Sequence, residues 1–401
     1  MRKLFNTLAK KALFTQLKKL AYGQLIIEDE DNQYKFGVGK KIKAKIRVRN
    51  ASFYGDVLLG GSIGSSESFI QGAWDTNDLT KVIQIMAVND QIMDQVEGPF
   101  KTLLRPFLRF AHYLNKNTQS GSKKNIAKHY DLSNNFFSLF LDPTMMYSSA
   151  IFRNASTSLD EASINKLDVI CKKLKLKKTD KVVEIGSGWG GFSIYAAQKY
   201  GCHITTTTIS KEQYKYVKQK IKLLGMQNNI TVLFKDYRDL KGKFDKLVSI
   251  EMIEAVGHQY YDEYFNMISK LLKDDGQALI QAITIKDQRY KEATKSVDFI
   301  QKYIFPGSCI PSLTAIQKSL TDTTDLVIND VDDIGIHYAR TLLHWRKNFI
   351  RNKSQILALG FDERFMRMWL FYLCYCEGGF IERSISDLHI QITKPLFRNS
   401  L

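Results

Sequence analysis

The stretch 182-VVEIGSGWGGFSIYAAQKYG-201 decides the fold. An apolar run ends around Glu184, glycines fall at 186, 188, 190 and 191, and a helical pattern follows. The order is strand, tight turn, helix. Gly186, Gly188 and Gly191 spell G-x-G-x-x-G, the pattern of a dinucleotide site. Such a site also needs an acid about 20 residues further on, to hold a ribose hydroxyl. No Asp or Glu stands between Glu184 and Glu212, and the next strand, 203-HITTTTIS-210, carries threonines instead. The turn therefore fails the dinucleotide test and calls for another ligand.

Working outward, a helix at about 160–177 precedes a strand at 181–185. Then follow helix 191–200, strand 202–209, helix 211–224, strands 230–234 and 245–251, helix 258–273 and strand 277–285. Strands alternating with helices predict an α/β fold with a parallel, doubly wound sheet. Ligands of such sheets bind at the carboxyl ends of the strands. Upstream, residues 24–70 read as β-rich. In 42-IKAKIRVRN-50, Ile42, Ala44, Ile46 and Val48 share one strand face. The glycine- and serine-rich 60-GGSIGSSESFIQG-72 reads as a loop, and 78–115 as helices. The polar stretch 117-NTQSGSKKN-125 is the best linker. The expected domains are thus an α+β domain over 1–118, a linker over 119–126 and a catalytic domain over 127–401.

The chain has 401 residues, is 44% hydrophobic and carries a formal charge of +17. It is long enough for two cores. Residues 1–50 hold thirteen Lys/Arg against four Asp/Glu. Such a basic surface attracts nucleic acid or anionic lipid alike. The first twenty residues place Leu4, Leu8, Ala12, Leu17 and Leu20 at helical spacing, with lysines mostly off that stripe. Such a helix docks on its own domain or lies in a membrane interface. The five cysteines form no C-x-x-C pair, which argues against a disulfide framework or a zinc site and fits a reducing cytoplasm. The run 368-MWLFYLCYC-376 is too short to span a bilayer. His258 and His389 read as exposed structural residues.

S-adenosylmethionine (SAM) suits the glycine turn. It has no phosphates, and its methionyl end needs a backbone that can approach closely, which glycine permits. Glu184 is placed near its ammonium group. In 234-FKDYRDL-240, Asp236 at a strand end can accept from an adenine amino group and Tyr237 can cover the ring.

Seven stretches in order carry a resemblance. They are HYDLSNNFFSLFLDPTMMYSSAIF (129–152), EIGSGWGGFS (184–193), TISKEQ (208–213), DYRDL (236–240), SIEMIEAVGHQYYDEYF (249–265), QKYIFPGSCIPS (301–312) and HYARTLLHW (337–345). Together they closely resemble the cyclopropane-fatty-acyl-phospholipid synthase family of SAM-dependent methyltransferases, which includes the mycolic acid cyclopropane synthases. The likeness is strong over roughly 125–395 and weaker through 62-SIGSSESFIQGAWDTNDL-79.

The resemblance implies a class I, Rossmann-like SAM-dependent methyltransferase with a smaller N-terminal domain that touches the membrane. It implies methyl transfer from SAM to the cis double bond of an unsaturated phospholipid acyl chain. A carbocation follows, bound bicarbonate acts as base, and a cyclopropane ring closes. It implies a peripheral place on the cytoplasmic face of the membrane and no nucleic-acid partner or metal, and leaves a homodimer open. The implied SAM contacts are Tyr147, Ser148, Glu184, Gly186, Gly188, Thr208 and Gln213, with Asp236 and Tyr237 at the adenine. The implied bicarbonate site is Glu254, Tyr338 and the Ile283 amide. Cys376 matches a cysteine sometimes treated as catalytic, and a packing or pocket-lining role is the favoured reading.

Two departures stand out. Ser149 replaces the family's usual cysteine, and Gln281 its usual histidine. A glutamine can donate to an anion but cannot titrate. A cation that loses its proton elsewhere gives a methyl- or methylene-branched chain, so ring and branch both stay open. So, less favoured, does a methyltransferase acting on RNA or a small molecule.

Overall fold

The computed structural model describes residues 2–30, 32–92 and 132–398. The expected linker at 119–126 lies outside the described residues. The chain divides into two compact units, each discontinuous in sequence.

The first unit holds residues 1–114, 295–304 and 345–384. Its sheet runs in the order β2-β1-β3-β4, with β1 Gln24–Asp29, β2 Asn32–Phe36, β3 Lys43–Val48 and β4 Trp74–Thr76. Ala44, Ile46 and Val48 are buried together, as the alternation predicts. Around the sheet lie α1 (Arg2–Leu17), α2 (Ser52–Ile70) and α3 (Leu79–Val88). The glycine- and serine-rich stretch is not a loop: α2 runs through it, kinked at Gly61 with φ 55°. Its Ile63, Phe69 and Ile70 are buried, and that burial outweighs the poor helix propensity of Gly and Ser. The expected apolar stripe of α1 also divides. Of its members Leu17 and Leu20 are buried, with Ala9 and Leu13 beside them, whereas Ala12 is exposed and Leu4 and Leu8 are 67% and 56% exposed.

Residues 345–384 join this unit through specific bonds. The Arg367 guanidinium donates to the Phe69 and Trp74 carbonyls at 2.6 and 2.8 Å and to Asp75 at 2.9 Å. Phe371 packs its ring 4.8 Å from Phe299.

The second unit contains a seven-stranded sheet in the order β10-β11-β9-β8-β5-β6-β7. The strands are β5 Lys181–Ile185, β6 His203–Thr208, β7 Ile230–Phe234, β8 Phe244–Ile250, β9 Leu272–Ile285, β10 Val327–Asp333 and β11 Ile385–Thr393. β5 to β9 are parallel, as the alternating pattern predicts, but β10 and β11 add antiparallel at one edge. Successive residues face opposite cores. Val183, Leu247 and Ala278 pack with Phe265 and Ile268 of α7 (Tyr261–Leu271) and Ile316 and Leu320 of α8 (Leu313–Thr323). Val182, Val248 and Leu279 pack with Leu167 and Ile170 of α4 (Leu159–Lys173), Phe192 of α5 (Gly191–Tyr200) and Val217 of α6 (Lys211–Leu223). Both sheet faces are covered, so adjacent residues such as Val182 and Val183, or Leu247 and Val248, are both buried.

The chain runs from β5 outward to β6 and β7, then returns to β8 on the other side of β5. This reversal makes a switch point at the carboxyl ends of β5 and β8. The glycine turn follows β5, and 251-EMIEAVG-257 follows β8.

Candidate active site

At the end of β5 the backbone turns through positive φ at Gly186 (93°), Gly188 (48°) and Gly190 (83°). The Gly186 and Ser187 amides donate to the Thr207 carbonyl at 3.1 and 2.8 Å, which ties the turn to β6. A Cβ built on Gly188 would meet no protein atom within 4 Å, so the turn opens onto space. Glu184 is buried, and Ser193 and Thr206 both donate to its Oε2. Burial pushes its carboxyl up to about 7. Thr208 donates to Gln213 Oε1 at 2.9 Å, joining the end of β6 to the start of α6. Asp236 is held by Arg238 through two bonds of 2.8 Å. The Tyr237 ring packs 5.6 Å from Tyr264, and its buried hydroxyl has no partner among the described residues. Tyr147 stands in an aromatic group, its ring 5.2 Å from Phe137, which lies 5.0 Å from Trp189 in the turn. The open glycine cradle and the orphaned Tyr237 hydroxyl fit a nucleoside with a polar tail. SAM bound there would supply an electrophilic methyl group. The turn, Thr208, Gln213, Asp236 and Tyr237 would hold it.

Beside this cradle, at the ends of β8 and β9, polar side chains form one connected group. Its centre is Glu251, which the sequence reading did not single out. Glu251 Oε1 accepts from the Ser149 amide at 2.9 Å and from Gln281 Nε2 at 2.8 Å. Its Oε2 accepts from the Tyr338 hydroxyl at 2.6 Å. Tyr338 lies on α9 (Gly335–Arg351). Gln281 Nε2 also donates to Asp387 at 2.7 Å, and Gln281 Oε1 lies 3.3 Å from His389 Nε2. Asp387 and His389 come from β11, paired in register with Ile283 and Gln281 of β9. His389 is fully buried rather than exposed, and burial lowers its imidazole to about 3, so it stays neutral.

Glu254 sits in the short helical turn after β8. The Ile283 amide donates to its Oε1, and its Oε2 is buried without a partner among the described residues. Burial, reinforced by the nearby Glu251, raises its carboxyl to about 8. Burial likewise pushes Glu251 and Asp387 above the ordinary carboxylate range. The balancing cation is Lys166, also missed from sequence. It is wholly buried in α4 and donates to Ser148 Oγ at 2.6 Å. Burial lowers its amine to about 8.

The structure thus brings Ser148, Ser149, Glu254, Gln281, Ile283 and Tyr338 together. It pairs them differently from the expectation. Tyr338, Gln281 and the Ser149 amide bond Glu251, and the Ile283 amide bonds Glu254. An added bicarbonate would find its donors taken and would meet buried carboxyl groups, at a steep desolvation and like-charge cost. These residues do not fit bicarbonate. Cys376 belongs to the other unit, on α10 (Glu363–Ile381), and is partly exposed. Tyr261 and Tyr264, on α7 beside the cluster's strands, are core residues. Their hydroxyls donate to the Cys309 carbonyl at 2.5 Å and to Ser249 at 2.7 Å. Missing Glu251 and Lys166 had a common cause, since each reads locally as an ordinary surface charge. One signal was available for Glu251: it is the first residue past β8, at the switch point.

A sheet with this order and a glycine cradle after its first strand define a class I SAM-dependent methyltransferase. The family model described as "Mycolic acid cyclopropane synthetase" matches residues 117–390. The chain belongs to this family, and its members' chemistry makes it a SAM-dependent methyltransferase. It is 38% identical to a tuberculostearic acid methyltransferase of Mycobacterium tuberculosis over 80% of this chain and 76% of that protein. It is 36% identical to the cyclopropane-fatty-acyl-phospholipid synthase of Escherichia coli K12 over 85% of this chain and 86% of that one. Among solved structures, a mycolic acid cyclopropane synthase complexed with SAH and CTAB is 31% identical, with a TM-score of 0.64. That match covers 68% of this chain and 98% of the other.

Proposed function

We propose that this enzyme transfers the methyl group of SAM to the cis double bond of an unsaturated acyl chain in a phospholipid, and that a cyclopropane ring is the product. One observation carries the reading. The open glycine cradle and a hydrogen-bonded carboxylate cluster stand at the carboxyl ends of adjacent strands, β5 and β8. A methyl donor and a proton acceptor are the two things that methylation of an unactivated alkene needs. The family's lipid-modifying members supply the acyl substrate class.

A second reading, a methylene- or methyl-branched product, is favoured by the likeness to the tuberculostearic acid methyltransferase and by Ser149 and Gln281. The two products diverge after the methyl has been added. If the new methyl loses a proton while its C–H pair closes on the cationic neighbour, a ring forms. If a hydride first moves the cation onto the methyl-bearing carbon, the same proton loss leaves an exocyclic methylene.

The substrate's bilayer suggests how α1 works. Leu4, Phe5 and Leu8 are exposed, and Lys3 and Lys11 beside them are exposed too. An apolar stripe flanked by lysines suits an anionic phospholipid surface, the stripe entering the interface and the ammonium groups reaching lipid phosphates. Among the described residues no helix is long and apolar enough to cross a membrane.

The test is mass spectrometry of acyl chains after incubating the protein and SAM with vesicles of unsaturated, anionic phospholipid. A gain of one CH₂ with loss of the alkene supports the ring, and the same gain with an alkene retained supports the branch. No gain from a protein that binds SAM contradicts the phospholipid reading.

A further inference from the structure

We propose that Glu251 is the catalytic base, a built-in carboxylate that occupies the donor set expected to hold bicarbonate. The inference rests on the alkene-methylation reading above. Three donors from three separate parts of the chain, Ser149 N–H, Gln281 Nε2 and Tyr338 OH, converge on the two oxygens of this one side chain. Such a set holds a carboxylate in its charged form. Bicarbonate presents a carboxylate of the same shape, so the side chain and the ion compete for one place.

The backbone points the same way. Glu251 has φ 46°, in the left-handed region that a residue with a Cβ enters at a cost of about 1–2 kcal/mol. A glycine would sit there without strain. The chain instead keeps a glutamate, and the carboxylate's place in the donor set is the structural return. Its own amide is pinned to the Gln281 carbonyl at 2.8 Å, so main chain and side chain are fixed on the same residue.

Among the three carboxyl groups, Glu251 is the one suited to meet substrate. Glu254 and Asp387 are buried, and each leaves one oxygen without a partner among the described residues, as suits carboxyls kept protonated. Glu251 keeps partial exposure and has three donors. Of the three, it is therefore the one that carries the negative charge opposite Lys166.

The step balances without a further reactant. The alkene π pair forms a C–C bond to the methyl carbon as the C–S bond breaks, and S-adenosylhomocysteine leaves with that pair. The adjacent carbon becomes cationic. Glu251 then takes a proton from the added methyl, and the freed C–H pair closes the ring or, after a hydride shift, forms the exocyclic double bond. Glu251 ends protonated and returns its proton to solvent.

The experiment pairs binding with turnover. Carbon-13 bicarbonate is titrated into the full-length wild type and into Glu251→Gly, and its NMR line is followed. The glycine variant relieves the φ 46° strain, so it should stay folded, which a thermal melt checks. The wild type should show no saturable binding and the variant should show it. In buffer stripped of CO₂ the wild type should keep its full rate. Glu251→Gly should be inactive there and recover with bicarbonate. Glu251→Gln, whose amide still fills the place, should lose roughly 100- to 10,000-fold in rate and stay unrescued. Saturable binding to the wild type, wild-type dependence on bicarbonate, or a Glu251→Gly variant that takes up none would each overturn the assignment. If the phospholipid reading is wrong, no protein here methylates the acyl chains, but the binding contrast is unaffected.

Discussion

The glycine cradle after β5 and the carboxylate cluster after β8 sit on neighbouring strands and are built in opposite ways. The cradle is backbone: three glycines in left-handed conformations, two amides tied to β6 and space where a side chain would be. The cluster is side chain, with residues from six separated stretches sharing a few hydrogen bonds and leaving buried atoms of Glu254, Asp387 and His389 without a partner among the described residues. A backbone site tolerates little change in shape but is cheap to maintain. A buried polar site costs stability, and every member alters the charge of the others. Substrate binding should therefore fail with the first and chemistry with the second.

The largest effect should come from the cluster. Glu251→Gln is expected to lower kcat by roughly 100- to 10,000-fold while SAM affinity changes by less than about two-fold. Calorimetry beside single-turnover kinetics checks this, and a large loss of SAM affinity would break the division of labour. Next comes the cradle. Gly188→Val adds atoms into the space beside the turn, where no protein atom would be met, at a strain of about 1–2 kcal/mol. The protein should fold while SAM binding weakens by about 100-fold, or ~3 kcal/mol.

These contrasts follow how each region was written in the sequence. The cradle was legible because its information is local: glycine spacing, a preceding apolar strand and a following helix fall within twenty residues. The order of strands and helices from 159 to 285 was legible for the same reason, each period being short. The helix over 52–70 was not, because its glycines and serines are poor helix formers and only burial against the first unit's core selects the helix. The cluster was legible only in part. Family likeness marked Glu254, Gln281, Ile283 and Tyr338, but not which of them would bond to which. Glu251 has only its place just past β8, and Lys166, Asp387 and His389 carry no local signal, since their roles arise from the burial of α4 and the pairing of β9 with β11.

Smaller effects sharpen the comparison. Tyr338→Phe removes a donor that favours the charged form of Glu251, so its carboxyl should rise further. Glu254, Asp387, Lys166 and neutral His389 also surround Glu251, and they stay in place in this variant. Activity needs the ionised base, so the rising limb of the pH–rate profile should move to higher pH, with about a ten-fold loss at neutral pH.

Glu254 has a folded-state value of about 8, above its ordinary one, so its contribution to stability is fully present at low pH and is lost as pH rises from about 4.5 through 8. Glu254→Gln should therefore raise Tm near pH 9 by roughly 2–4 °C while lowering activity. An unchanged Tm across that window would show that the group does not bear the cost assigned to it. The smallest effect on chemistry should be Leu8→Glu on the exposed face of α1. It should weaken co-sedimentation with anionic vesicles several-fold and leave SAM binding unchanged.

The most direct test of a self-contained methylating site is turnover with SAM carrying a trideuterated methyl group, in buffer stripped of CO₂, read by mass spectrometry of the phospholipid acyl chains. Product should form at the full wild-type rate, with two of the three deuteriums retained, because Glu251 takes the third from the added methyl. Product that appears only when bicarbonate is restored, or that keeps all three deuteriums, would contradict it.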